Sequence, residues 1–443
     1  MNHVAGCRSG FILAVRPDRD SQTMTDRLAD YASRAVPRYT SYPTAPHFQK
    51  GFAEATYRGW LGALDPAEPV SLYLHVPFCK QMCWYCGCNM KLAAKYAPVA
   101  AYVERLLEEI DLVADALPGR MTINHLHWGG GTPTALEPDD LARAMDRVRS
   151  RFDTMEGASL AIESDPRTLT DAMAARIGAL GFTRASFGVQ EFDPKVQEAI
   201  NRIQPPEMVR HTVESLRAAG VSGINFDLIY GLPHQTVESL LATIELCHDM
   251  APDRIALFGY AHVPWMAKNQ RMIPDDTLPD GPARKAQAAA AADALQEAGY
   301  VAIGLDHFAL PDDDMAIALA EGRLRRNFQG YTTDTAPALI GIGATSIGRN
   351  PGGFVQNISE TGAWSRAVAD GILPVAKGVP LSADDRLRGR VIEALMCEGA
   401  ADTAAIGGDH GFAPDWCAAE LAELQGFARD GLLTLDGPRV TLT

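Results

Sequence analysis

Residues 71–89 read Ser71-Leu72-Tyr73-Leu74-His75-Val76-Pro77-Phe78-Cys79-Lys80-Gln81-Met82-Cys83-Trp84-Tyr85-Cys86-Gly87-Cys88-Asn89. A β-rich run over 71–76 leads straight into a loop that carries four cysteines. Beyond it, Val103, Leu106, Leu107, Ile110, Val113 and Leu117 recur at helical spacing and leave Glu104, Glu108 and Glu109 for solvent. The alternation continues, with strands predicted over 123–128, 159–163, 184–189, 224–230 and 254–260. Helices are predicted over 139–152, 170–180, 207–219, 236–250 and 283–298. Strands separated by helices cannot pair as hairpins, so they should lie parallel with right-handed crossovers. Cys79, Gly129–Gly131, Glu163, Gln190, Asp227 and Ala261 fall at or just after the C-terminal ends of these strands. In a parallel barrel those ends share one rim, whereas a doubly wound sheet uses only its switch point. The predicted class is therefore α/β, an incomplete (β/α)6-type parallel barrel with its core over 71–305.

After residue 305 the rhythm changes. Residues 306–381 contain Asp306-His307-Phe308-Ala309 and Asn327-Phe328-Gln329-Gly330-Tyr331-Thr332-Thr333, and are expected to be a connecting segment that completes the site. Residues 382–443 read as helices followed by a hairpin about Asp436-Gly437-Pro438, which predicts a small, mostly helical, winged-helix-like domain truncated in its last strand at Thr443. Residues 31–70 are expected to form an arm over the active site, and 1–30 a mobile leader with Met24 as a candidate start.

Forty Lys and Arg against 55 Asp and Glu give a net charge of −15. That argues against a broad nucleic-acid or anionic-membrane surface, but not against a local arginine pocket for an anion. No apolar run approaches the ~18 residues of a membrane span. Residues 11–15 are shorter than the roughly 7–15-residue core of a signal peptide, so a reducing cytoplasm is expected. Of the eight cysteines, four fall within residues 79–88. Cys247, Cys397 and Cys417 are expected to be core thiols.

The loop spacing is C-x3-C-x2-C-x-C. Disulfides are disfavoured in a reducing compartment. A structural zinc site of four thiolates competes, although two separated C-x2-C knuckles are missing. An iron–sulfur cluster suits one short loop better, because three thiolates grip three corners of a cubane and leave one iron open.

C-x3-C-x2-C with an aromatic before the third cysteine resembles the signature of the radical S-adenosylmethionine (SAM) enzymes. The longer strings resemble the oxygen-independent coproporphyrinogen III oxidases, from about residue 30 to 435. They are Pro37-Arg38-Tyr39-Thr40-Ser41-Tyr42-Pro43-Thr44, His127-Trp128-Gly129-Gly130-Gly131-Thr132-Pro133, Ile162-Glu163-Ser164-Asp165-Pro166-Arg167, Gly188-Val189-Gln190, Asn201-Arg202 and Asp227-Leu228-Ile229-Tyr230-Gly231-Leu232-Pro233, with the two strings after residue 305.

The resemblance implies that Cys79, Cys83 and Cys86 hold one four-iron four-sulfur cluster, whose open iron binds the amino and carboxylate groups of SAM. It implies that Tyr73, Tyr85, Gly130, Glu163 and Ile347 serve that SAM, and that Gly131, Thr132, Gln190, Arg202, Asp227 and Ala261 serve a second molecule. Cys88 lies outside the ligand set and distinguishes the family from its haem-chaperone relatives, which carry an aromatic there. Each assignment has a plainer alternative: a tight turn for the glycines, core packing for Tyr73, Tyr85 and Ile347, a surface helix for Arg202, and an internal ion pair for Asp227. Glu163, ending a core strand, must be hydrogen-bonded or at the rim, because a buried unpaired carboxylate is costly.

The substrate's propionates need cations, and Arg38, Arg184, Arg325 and Arg326 are the candidates, the last two equally readable as a solvated helix face. The implied reaction passes one electron to SAM, and the resulting 5′-deoxyadenosyl radical takes hydrogen from a propionate β-carbon. Loss of carbon dioxide and an electron leaves a vinyl, and two rounds turn coproporphyrinogen III into protoporphyrinogen IX. An electron donor such as flavodoxin, an oxygen-poor setting and a monomer are expected, with no nucleic-acid partner. A haem chaperone and a zinc-stabilised structural protein remain the competing readings. Cys88, the 38–44 string and Asp306–Ala309 favour the enzyme.

Overall fold

The computed structural model describes Tyr31 and residues 41–443. Arg38, the first part of the 37–44 string and the predicted leader lie outside the described residues.

Six β/α units form the core: β1 (Val70–Val76) and α1 (Ala97–Ala116), β2 (Thr122–Gly130) and α2 (Pro138–Arg151), β3 (Asp153–Ser164) and α3 (Asp171–Ala179), β4 (Arg184–Gln190) and α4 (Pro206–Ala218), β5 (Gly223–Tyr230) and α5 (Val237–His248), β6 (Arg254–Gly259) and α6 (Gly281–Glu297). Every residue of β1 is buried, as a strand covered on both faces requires. The α1 stripe of Val99, Val103, Leu106, Ile110 and Val113 packs on the sheet. Helix α2 places Asp139 and Asp140 in its first turn and Arg149 and Arg151 in its last, complementing its dipole. A capping box of Thr236 and Ser239 starts α5.

Register carries the apolar layer around the barrel. Leu74 pairs with Trp128, Trp128 with Ile162, Ile162 with Ala185, Ala185 with Ile224, and Phe226 with Ile255. All six strands are parallel. The sheet's edge strands, Gln49–Lys50 and Val301–Ile303, do not pair with each other, so the barrel stays open.

The sequence expectation falls short in four places. Strand β3 begins at Asp153 rather than 159, because its first five residues are exposed and lack an apolar period. Glu109, expected in solvent, is 1 % exposed. Arg325–Arg326 pairs as a short strand with Tyr331–Thr332 and is not helical. Within 306–381 lie β7 (Ala338–Ile342), β8 (Ile347–Asn350), β9 (Gly353–Asn357) and β10 (Val375–Pro380), which extend the sheet beyond β1. Strand β7 runs parallel to β1, and the rest are antiparallel.

Toward the C-terminus, α7 (Ala383–Glu398) and the helices Thr403–Asp409 and Ala418–Arg429 accompany a three-stranded antiparallel sheet that includes the hairpin of Leu433–Asp436 and Arg439–Leu442. No helix among the described residues is long and apolar enough to cross a membrane.

Candidate active site

The cysteine loop leaves the C-terminal end of β1 and is closed at its base by parallel pairing of Phe78 with Lys91 and of Cys79 with Leu92. Three side-chain amides grip it from outside. Asn269 Nδ2 donates to the carbonyls of Cys83 at 3.2 Å, Trp84 at 3.1 Å and Cys86 at 2.8 Å. Gln270 Nε2 donates to Tyr85 O at 2.8 Å and Ala261 O at 3.1 Å. Asn201 Nδ2 donates to Met82 O at 2.7 Å. Trp84 and Tyr85 pack beside Val196, Ile200, Leu232, Tyr260 and Ile273. Three amide clamps on the loop carbonyls fix the backbone of the cysteine loop.

The sulfurs have distinct surroundings. Cys83 Sγ accepts from Arg167 Nη2 and Arg202 Nη1, both at 3.3 Å. Those guanidiniums share Asp165, at 2.6 Å from Arg167 Nη2 and 3.4 Å from Arg202 Nη1. Burial would push the Asp165 carboxyl up, but Arg202 and Arg167 outweigh it and hold it below the usual range. Burial pushes the Cys79 thiol up to about 11, against a bond to Thr132, whose Oγ1 lies 3.6 Å from the sulfur. The Cys88 thiol hydrogen-bonds Cys86 and lowers the Cys86 thiol to about 7.

A glycine wall faces the loop. A Cβ on Gly131 would sit 2.8 Å from Phe78 O, and one on Gly130, whose φ is +120°, 2.8 Å from His75 Nε2. Only glycine lets β2 end this close to the start of the loop. Gly130 N donates to Glu163 Oε2 at 3.0 Å, and Glu163 Oε1 lies 3.1 Å from His127 Nε2. Tyr73 stacks on His127 with centroids 5.8 Å apart, and its hydroxyl lies 3.0 Å from His75 Nδ1. His75 Nε2 and Gln190 Oε1 are buried without a hydrogen-bond partner among the described residues, an arrangement that favours an external ligand.

Gln190 takes a left-handed φ of 69°, which a non-glycine residue adopts only where its surroundings impose it. Its neighbour Gly188 accepts from Arg202 Nε at 3.0 Å. Asp227 receives Asn225 Nδ2 at 2.9 Å and Ser186 Oγ at 3.3 Å. Burial, reinforced by Glu163, raises its carboxyl to about 7. Ile347 lies against Gly341, which pairs with Tyr73, so it stands two strands away at the same level.

Tyr73, Glu163 and Asp227 line one end of a cavity of about 300 Å³ that runs through the barrel to Arg184 and Arg254. Arg184, at the opposite end of its strand from the rim, is ion-paired to Asp313. Arg326 covers the Tyr331 ring at 4.4 Å, and Arg325 Nη1 donates to Leu324 O at 3.1 Å. The rim thus gathers Cys79, Cys83, Cys86, Tyr73, Tyr85, Gly130, Gly131, Thr132, Glu163, Gln190 and Arg202, while, of the three arginine candidates among the described residues, Arg184 stands apart from Arg325 and Arg326.

Asn269, Gln270, His75 and His127 were not legible as site residues in the sequence. Amides and histidines carry no spacing signal, and the two amides come from a loop far along the chain. The donor set fits a cubane: three cysteines on one loop, guanidinium donors on one sulfur, and unpartnered polar atoms alongside.

The Radical SAM superfamily model matches residues 73–247. An oxygen-independent coproporphyrinogen III oxidase from Bradyrhizobium diazoefficiens is 50% identical over 417 residues, covering 94% of this chain and 93% of the relative. This chain belongs to the oxygen-independent coproporphyrinogen III oxidases. Another such oxidase, from Pseudomonas aeruginosa, is 39% identical over 92% of this chain and 89% of its own length. The solved coproporphyrinogen III oxidase of Escherichia coli, described as a radical SAM enzyme, superposes with a TM-score of 0.88 at 37% identity, over 91% of this chain and 93% of that one. The oxidase fold is therefore shared across nearly the whole length.

Proposed function

We propose that this chain catalyses the oxygen-independent oxidative decarboxylation of two propionates of coproporphyrinogen III, giving the vinyls of protoporphyrinogen IX in haem biosynthesis. One observation carries the reading: in a member of this oxidase family, a three-cysteine loop is clamped against a glycine wall and Glu163 at the mouth of a barrel cavity.

Removing hydrogen from an unactivated carbon is beyond any side chain, so a cofactor must supply the chemistry. Bound here, a four-iron four-sulfur cluster and SAM supply reductive cleavage to a 5′-deoxyadenosyl radical. Cys79, Cys83 and Cys86 hold the cluster. Arg167 and Arg202 withdraw electron density from the Cys83 sulfur through their N–H groups, the lever by which a protein tunes a cluster's potential. Glu163 and Gly130, with Tyr73, Tyr85 and Ile347 around the adenosyl part, orient the first SAM. Gly131, Thr132, Gln190, Arg202, Asp227 and Ala261 take a second. Arg325 and Arg326, with Arg38 and Arg184, are candidates for the substrate carboxylates.

The Asn269 and Gln270 amides brace the loop backbone. A low-potential one-electron donor such as flavodoxin, a monomeric state and a cytoplasmic setting complete the proposal.

Anaerobic purification and reconstitution test it. Brown protein with four irons per chain, converting coproporphyrinogen III to protoporphyrinogen IX with SAM and reductant, is expected. Colourless protein with stoichiometric zinc, or haem binding without vinyl product, would overturn it in favour of the structural or chaperone reading.

A further inference from the structure

A second cavity, of about 270 Å³, lies where α7 approaches β8 and β9. It meets the barrel cavity at Asn327 and Leu339, which line both. Its wall is divided by chemistry. Phe328, Ile347, Phe354 and Leu381 form an apolar side, and Arg326, Arg349, Arg386 and Arg390 a cationic one.

The carboxylates nearby are already engaged. Asp385 receives Ser382 N at 2.9 Å and Ser382 Oγ at 2.6 Å at the start of α7. Glu393 pairs with Arg390 at 3.4 Å and receives Arg326 N at 3.3 Å. Arg386 Nη1 donates to Leu381 O at 2.7 Å and forms no ion pair among the described residues, although its charge helps lower the Asp385 carboxyl. Arg349 makes no side-chain hydrogen bond or ion pair among the described residues, although it also lines an adjoining cavity of about 150 Å³ with Arg325 and Arg326. In a chain of net charge −15, two guanidiniums beside one cavity, those of Arg349 and Arg386, that form no ion pair among the described residues suit an external anion.

We propose that Arg349 and Arg386 bind a non-reacting carboxylate of the substrate, with the apolar wall against its pyrrole rings. The inference rests on the proposed activity: a macrocycle carrying several propionates can place one in the barrel only if the others find charge outside it. The continuity at Asn327 and Leu339 provides that path. The ligand class is a multiply carboxylated amphiphile, and these two arginines are binding residues remote from the cysteine loop.

The test uses full-length, anaerobically reconstituted protein and coproporphyrinogen III without SAM, so that binding is measured without turnover. Arg349→Gln and Arg386→Gln should each weaken binding on the order of tenfold, and Arg349→Lys should fall between. Iron content, and SAM cleavage by reductant without substrate, should match the parent. Both Gln variants binding within about twofold of the parent overturns the subsite. Arg386, on the surface of α7, provides the second reading should the strand variant misfold. A parent that binds the substrate but yields no vinyl product sinks the proposed activity instead, so the two failures are separable.

Discussion

Two buried aspartates, one at each end of the barrel, hold a pair of arginines. At the rim, Asp165 is shared by Arg167 and Arg202, and each guanidinium turns a remaining N–H toward Cys83 Sγ. At the far end, Asp313 receives Arg184 and, at 2.7 Å, Arg254 Nε, while Asp314 stands 3.7 Å from Arg254 Nη2. The far group sets two carboxylates against two cations. The rim group has one carboxylate for two cations, and its surplus positive charge is directed at sulfur. The same residue types therefore do different work: one set neutralises buried charge, and the other faces the Cys83 sulfur. Glu109 is a third case, a buried carboxylate met only by neutral donors: Gly343 N at 2.7 Å, Asn357 Nδ2 at 2.6 Å and Trp364 Nε1 at 2.9 Å. Burial outweighs those bonds and raises it to about 7.

The sharpest contrast comes from removing the sulfur itself. Cys83→Ala should reduce iron and sulfide to background and abolish vinyl formation, with the fold retained by circular dichroism. Asp313→Asn leaves two guanidiniums under-compensated in the interior and should cost about 3–5 kcal/mol of stability, read by denaturant melts, while iron content stays normal. If iron is lost instead, the two ends are not independent. Asp165→Asn should lower cluster affinity or activity about 10–100-fold, as losing a partner behind a ligand does, and shift the cluster's reduction potential. An unchanged potential would reduce the rim group to a structural role.

The last contrast concerns Glu109. Its folded pKa lies above the unfolded value of 4.5, near 7, so the native state binds the extra proton between these limits. Stability should be fullest below about pH 4.5 and decline toward pH 7, by at most about 1.4 kcal/mol per pH unit. Glu109→Gln should flatten that slope in pH-dependent melts.

The parallel half of the fold was legible because each unit joins a short β-rich run to an amphipathic helix. The predicted 184–189, 224–230 and 254–260 agree with β4, β5 and β6 to within one residue at each end. The sheet extension was not legible: β7 to β9 are four or five residues each and follow one another without intervening helices, so neither period develops. The loop's cysteines and the glycine wall stood out through type and spacing. The partners that fix them did not, because Asn269 lies 186 residues from Cys83 and Asp313 129 residues from Arg184. Glu109 misled for a different reason. It sits beside Glu108 on a helix whose acidic residues suggested water, yet three donors from the distant extension turn it inward.

The reach of Asn269 also bears on biogenesis. Its amide spans three carbonyls of the cysteine loop, yet it is synthesised long after them. A nascent chain still lacking residue 269 holds the four loop cysteines but not the brace that shapes their backbone, so the loop reaches this form only once the ribosome has delivered most of the barrel.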